Sequence, residues 1–434
     1  MRSSFIAFIF LLFSHSVFSA AKIEHWQTSE GSSVFYVETK GLPMVDIRVV
    51  FDAGSARDGY QQGVAALTAA LLDTGAGDWN ADVIAQRFES VGAKFGAGVS
   101  RDMAWLSVRS LTEEKLLNKA LQTLQLILSK PTFNEADFQR EKNRTLAGLK
   151  HREESPGALA EMEFYKALYK FHPYAHPPAG IIETVSGFTA EDLRKFYKKH
   201  YVASNAMIVI VGDMKKQQAT LTAQSLMAGL DAGKKPDALP EVSFSKERVI
   251  KYFDFPSTQT HVLSGLVGMH RKDKDYFSLY VGNHILGGSG LVSQLFKEIR
   301  EKRGLAYSAY SYFSPLLRKG PFTMGLQTRN DQTSVAVDVM DNTLKDFVEK
   351  GPSEKELIAA KKNITGGFAM RFDTNSKLTS YVSMIGFYGL SLGYLDVFQK
   401  KVEAVTVVSI KDAFKRRVKP ELITTVIVGG ETEE

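Results

Sequence analysis

Two histidines, His172 and His176, stand four residues apart in the run HPYAHPPAG, the spacing at which side chains on one helical face can jointly hold a metal. Pro173 and Pro177 interrupt that spacing, because proline removes a helical donor and clashes with the preceding turn, so the pair reads first as a structural loop. Glu153, Glu154, Glu161 and Glu163 offer carboxylates on a neighbouring helical stretch and read as its solvated face. Farther on, Arg300 and Tyr307 are seven residues apart in LVSQLFKEIREKRGLAYSAYSYF. Such a pair offers a fixed cation and a hydroxyl donor. Taken alone, the two residues read first as a helix-end salt bridge and a half-buried strand tyrosine. No phosphate-binding loop occurs. The chain has no cysteine, which excludes disulfides, thiolate metal sites and a cysteine nucleophile.

The elements that must position these groups follow from periodicity. Leu291, Leu295, Phe296 and Ile299 form an apolar helical stripe, Gly304 ends that helix, and an aromatic strand follows. Just before it, Gly287-Gly288-Ser289-Gly290 is either a flexible loop beside a substrate path or a tight turn. Long helical patterns such as EEKLLNKALQTLQLILSK alternate with strands such as DIRVVFDAG and HVLSGLVG. The segment GVAALTAALLDTGAG, residues 63–77, is an alanine-rich helix start that reads as carrying no side chain able to do chemistry.

Residues 185–214 and 402–431 align without a gap, pairing Val185 with Val402, Thr189 with Thr406, Lys198 with Lys415 and Gly212 with Gly429. Each is an amphipathic helix with a basic end, a turn and a β-branched strand closing in Val-Gly. The expected architecture is therefore α+β: two homologous domains related by internal duplication, each a mainly antiparallel sheet covered by helices. With 434 residues and 44% hydrophobic content the chain has material for two cores. Residues 1–20 read as a secretory signal peptide, with Arg2, an apolar run from Phe5 to Phe13 and small residues at Ser19 and Ala20. The expected domains are 21–225 and 246–434, joined by a Gly-, Pro- and Lys-rich linker at 226–245. Export without cysteine suggests a bacterial periplasm, and no later apolar run is long enough to span a membrane. The net charge of +6 is scattered, which argues against nucleic acid as a partner.

In order and spacing, DAGSARD, Gly63-Val64-Ala65, Arg140-Glu141-Lys142, HPYAHPPAGIIETV, VGDM and ILGGSGLVSQLFKEIREKRGLAYSAYS resemble the pitrilysin and mitochondrial processing peptidase family, over essentially the whole mature chain. The resemblance implies an inverted zinc motif, His-x-x-Glu-His, directly after the Gly-x-Ala segment, with a third ligand glutamate seven residues beyond Glu141. Those positions here are Ala66, Ala69, Ala70 and Gly148, none with a donor atom beyond the backbone. No metal or other cofactor is therefore expected in this chain. Arg300 and Tyr307 match a family pair that reaches the active site from the second half, and the strand around Ala97 matches the edge on which a substrate peptide adds as a β-strand, though an ordinary buried strand fits that segment as well. Ala97, Gly287 and Gly288 are the candidate substrate contacts. Some family members work as unlike pairs, one with zinc and one with the Arg and Tyr. The implied partner is a homologous zinc-bearing subunit with an intact His-x-x-Glu-His, acting on unfolded peptide; the competing expectation is an inert peptide-binding or scaffold subunit.

Overall fold

The computed structural model describes residues 22–430, and the N-terminal segment read as a signal peptide lies outside them. In chain order the first half contributes β1 (Glu24–Gln27), β2 (Ser33–Glu38), β3 (Met44–Phe51), a small hairpin of β4 (Gly75–Ala76) and β5 (Trp79–Asn80), then β6 (Lys94–Val99), β7 (Ala104–Leu111) and β8 (Ala206–Gly212). The second half contributes β9 (Val249–Asp254), β10 (Gln259–Val267), β11 (Ala306–Phe313), β12 (Pro321–Arg329) and β13 (Thr424–Gly429).

The two main sheets repeat one topology. The first runs β1-β2-β8-β3-β7-β6 and the second β9-β13-β10-β12-β11 when read in the matching direction. In each, the closing strand pairs parallel with one neighbour (β2 with β8, β9 with β13) and every other pairing is antiparallel. The aligned threonines carry the repeat down to single hydrogen bonds. Thr189 and Thr406 each cap a helix, Ala190–His200 and Val407–Arg417, through a reciprocal capping box that satisfies two otherwise orphaned donors.

The halves also exchange helices. Helix Asn375–Phe387 of the second half covers the first sheet, packing on β8, β3 and β2, while helix Pro156–Tyr169 of the first half covers the second sheet, packing on β13 and β10. Close approach is built in: a Cβ on Gly386 would stand 2.6 Å from the Met207 sulfur and 2.7 Å from the Phe35 ring. One apolar core accordingly joins Phe35, Val50, Val209 and Val211 of the first sheet to Leu378, Val382 and Ile385 of the borrowed helix. The segment 228–248 crosses between halves without regular structure, yet Leu239 and Val242 are buried against Tyr169 and Tyr174.

Candidate functional site: a vestigial zinc cleft

Helix Val64–Leu71 begins at Gly63, whose φ of +102° suits glycine, and Asp58 seals its start by accepting from Gly63 N at 2.7 Å and Ala65 N at 2.9 Å. His176 Nε2 lies 3.0 Å from the same carboxylate. Burial raises the Asp58 carboxyl's pKa, and His176 and the two backbone donors counter it. His172 does a separate job: Nδ1 accepts from Tyr174 N and Nε2 donates to Pro240 O, both at 3.1 Å. The two histidines thus hold backbone in place, one at the helix start and one at the inter-half segment. The loop reading of HPYAHPPAG is what the geometry displays.

Ala66, Ala69, Ala70 and Gly148 line one cleft of about 1420 Å³, so the four positions expected to have carried the zinc chemistry do converge in space. Alanine packs the helix against Ala190–His200 and Glu135–Glu153, whereas a Cβ built on Gly148 would meet nothing within 4 Å. Among the described residues no group of three metal-ligating side chains occurs. The cleft keeps charge of another kind. Asp73, just past the helix end, has its pKa raised by burial and further by the negative charge of Glu141, while Glu141 is itself 3.5 Å from Arg144. Asp73 was legible as a carboxylate three residues beyond Ala70, just past the end of that helix, a signal the sequence reading passed over.

The floor of the cleft includes Gly96, Ala97 and Gly98 of β6, the edge strand of its sheet. Ala97 is exposed, so the buried-strand reading does not hold. An edge this bare of side chains presents backbone donors and acceptors to an extended peptide.

Arg300 and Tyr307 lie elsewhere. The helical segment carrying Arg300 is broken into short turns, Gly290–Val292, Gln294–Phe296 and Lys297–Glu301. Leu295, Phe296 and Ile299 are buried, but Leu291 is 65% exposed and does not belong to the apolar stripe, because Ser293 starts a new helical turn after it. Tyr307 sits where the β11–β12 pairing slips between Ala306 and Ala309 and is 81% exposed, which excludes a half-buried strand tyrosine. The Arg300 guanidinium lies 4.5 Å from the Tyr307 ring centre and 4.9 Å from that of Phe296. The nearby carboxylate of Glu298 goes instead to Lys302 and Arg303, at 2.6 and 2.8 Å, so the helix-end salt bridge is made by other residues. Neither Arg300 nor Tyr307 lines the cleft of Ala66 and Gly148, and Gly287 and Gly288 line a second chamber, of about 990 Å³, between the halves. Glu163, expected on a solvated face, is 7% exposed and held 3.2 Å from Lys166, because its helix is the one buried on the second sheet.

The junction of the halves contains a carboxylate the sequence did not reveal. Asp102, 1% exposed, accepts from the hydroxyls of Tyr174 at 2.5 Å and Tyr388 at 2.9 Å and from Leu317 N at 2.8 Å.

A family model for Insulinase (Peptidase family M16) matches residues 33–180, and one for the Peptidase M16 inactive domain matches residues 187–364. The crystal structure of a peptidase M16 inactive domain from Pseudomonas fluorescens is 36% identical, covers 94% of this chain and 98% of that one, and superposes with a TM-score of 0.91. A protease from Helicobacter pylori shares the fold at 20% identity and a TM-score of 0.86, over 94% of this chain and 99% of that one. The non-peptidase homolog YmxG of Helicobacter pylori is 27% identical over 423 residues, 96% of each chain. An uncharacterized zinc protease of Rickettsia felis is 27% identical over 351 residues, 80% of this chain and 84% of its own. With alanine and glycine where the metal ligands would stand, the chain belongs to peptidase family M16 and is one of its inactive homologues.

Proposed function

We propose that this chain is the zinc-less subunit of a periplasmic heterodimeric metallopeptidase. A homologous partner with an intact His-x-x-Glu-His supplies zinc and the general base, and this chain lends Arg300 and Tyr307. The observation that carries the reading is the Arg300–Tyr307 pair: a phenol 81% exposed at a slipped register, steadied by a guanidinium 4.5 Å from its ring centre. Such a hydroxyl is free to reach a group outside this chain and to donate where negative charge develops on a scissile carbonyl. Arg300 then serves the substrate backbone as well as the tyrosine. The periplasmic assignment rests on the N-terminal apolar segment and the absence of cysteine.

The test is cleavage of a quenched, unstructured peptide by the zinc-bearing homologue from the same cell, alone and mixed with this chain. Activity that needs the mixture and falls with Tyr307→Phe supports the reading; equal cleavage by the homologue alone sinks it.

A second reading, an inert peptide-holding subunit, is favoured by the cleft of about 1420 Å³ floored by the open edge of β6. It predicts peptide binding by this chain that is indifferent to Tyr307→Phe.

A further inference from the structure

The second chamber, of about 990 Å³, has a charge character opposite to what burial ordinarily selects. Arg48 of β3, Arg271 and Arg371 line it, and none of its lining residues is Asp or Glu. Buried cations are normally paired, because taking a charge out of water is costly unless a counter-charge or hydrogen-bond acceptor replaces the solvent. Here the Nε atoms of Arg48 and Arg271 are buried with no hydrogen-bond partner among the described residues. Desolvation lowers the pKa of Arg48, opposed only by Asp46, two residues along the strand, whose carboxylate is already committed to Arg109 Nε at 3.0 Å. Arg371 donates to the Tyr280 hydroxyl at 2.8 Å, a neutral acceptor. Asp102 stands behind Tyr388 and is taken up by three donors. His284, also on the wall, has its pKa lowered by burial and by Arg371.

The remaining wall is aromatic. Trp105 lies under Arg48 at 5.7 Å, Tyr388 under Arg271 at 5.3 Å, and Tyr310 and Tyr312 of β11 stack at 5.9 Å along one side. Guanidinium forks recognise carboxylates in a bidentate, planar manner, and flat aromatic walls hold the rest of an extended chain at small entropic cost. Ser100 lines this chamber while its chain neighbours Val99 and Arg101 line the cleft of Ala66 and Gly148, so the two spaces adjoin.

We infer that this chamber is a binding site for carboxylate side chains of an extended acidic peptide, with Arg48 and Arg271 as the receiving guanidiniums. That the carboxylate arrives on a peptide rests on the peptide-handling reading above; that the chamber takes a carboxylate does not. The test uses the full mature chain and a short fluorescent peptide alternating glutamate with phenylalanine, its glutamine twin, and the free dicarboxylate glutarate. Expected are binding of the glutamate peptide about tenfold or more tighter than its twin, competition by glutarate, and loss of the preference in the double variant Arg48→Met, Arg271→Met. Neither Nε has a hydrogen-bond partner among the described residues to lose, and the thermal transition of the variant checks that it is folded. Equal binding of both peptides to the wild type overturns the carboxylate site while leaving a peptide-handling chain intact. Glutarate binding that depends on the two arginines, with neither peptide bound, overturns the peptide assignment and counts against the proposed function instead.

Discussion

Tyr388 of the second half donates its hydroxyl to Asp102 of the first at 2.9 Å, although 286 residues separate them in the chain. Removing the acceptor strands three buried donors, the two hydroxyls and Leu317 N. Asp102→Ala is expected to cost about 3 kcal/mol or more and Tyr388→Phe about 1 kcal/mol, read from chemical denaturation midpoints. Equal, small effects would show that the junction is held by apolar packing alone.

His200 makes stability depend on pH. It is 3% exposed, packs at 4.5 Å on Phe196, and burial lowers its pKa from 6.5 to about 4. The folded state holds it neutral, so its contribution is intact above pH 6.5 and is lost as pH falls from 6.5 towards 4, where the unfolded chain takes up the proton first. The loss amounts to about 3 kcal/mol. Across that window the wild type should lose this amount of stability relative to His200→Leu; parallel curves would refute the assignment.

The cleft brings together the positions that the family resemblance assigns to zinc ligands. All four positions line it and Gly148 has open space at its Cβ. The triple variant Ala66→His, Ala70→His, Gly148→Glu is expected to retain about one zinc per chain after dialysis, by elemental analysis, where the wild type retains none. Failure to bind zinc in a folded variant would mean that helix Val64–Leu71 has shifted since its ligands were lost.

Tyr307→Phe separates catalysis from structure. At 81% exposure the hydroxyl contributes little to folding, so the thermal transition should move by less than about 0.5 kcal/mol equivalent. In the mixed complex, loss of an oxyanion donor is expected to lower kcat about 100-fold with KM little changed. A change confined to KM would make the tyrosine a binding residue only.

The duplicated units were legible because they are written in local chemistry: Thr189 and Thr406 are both caps, and both are followed by a Val-rich strand closing on glycine. The convergence of Ala66, Ala69, Ala70 and Gly148 was legible only through the family resemblance, since alanine and glycine carry no chemical signal of their own. Asp102 was not legible, because its partners lie 72, 215 and 286 residues away and only the tertiary fold assembles them. Leu291 misled because a helical period was extended across Ser293, which begins a new turn. Glu163 misled for a tertiary reason: its helix covers a sheet belonging to the other half, which one-dimensional patterning cannot register.

The exchange of helices between the halves has a consequence for biogenesis. As the polypeptide emerges in N-to-C order, the first sheet is complete at Gly212, but the face bearing Val50, Val209 and Val211 stays bare until helix Asn375–Phe387 has been delivered. For that interval the nascent chain exposes an adhesive β surface, so its folding requires a holding chaperone or rapid completion of synthesis. A truncation before residue 375 should aggregate rather than yield a smaller working protein.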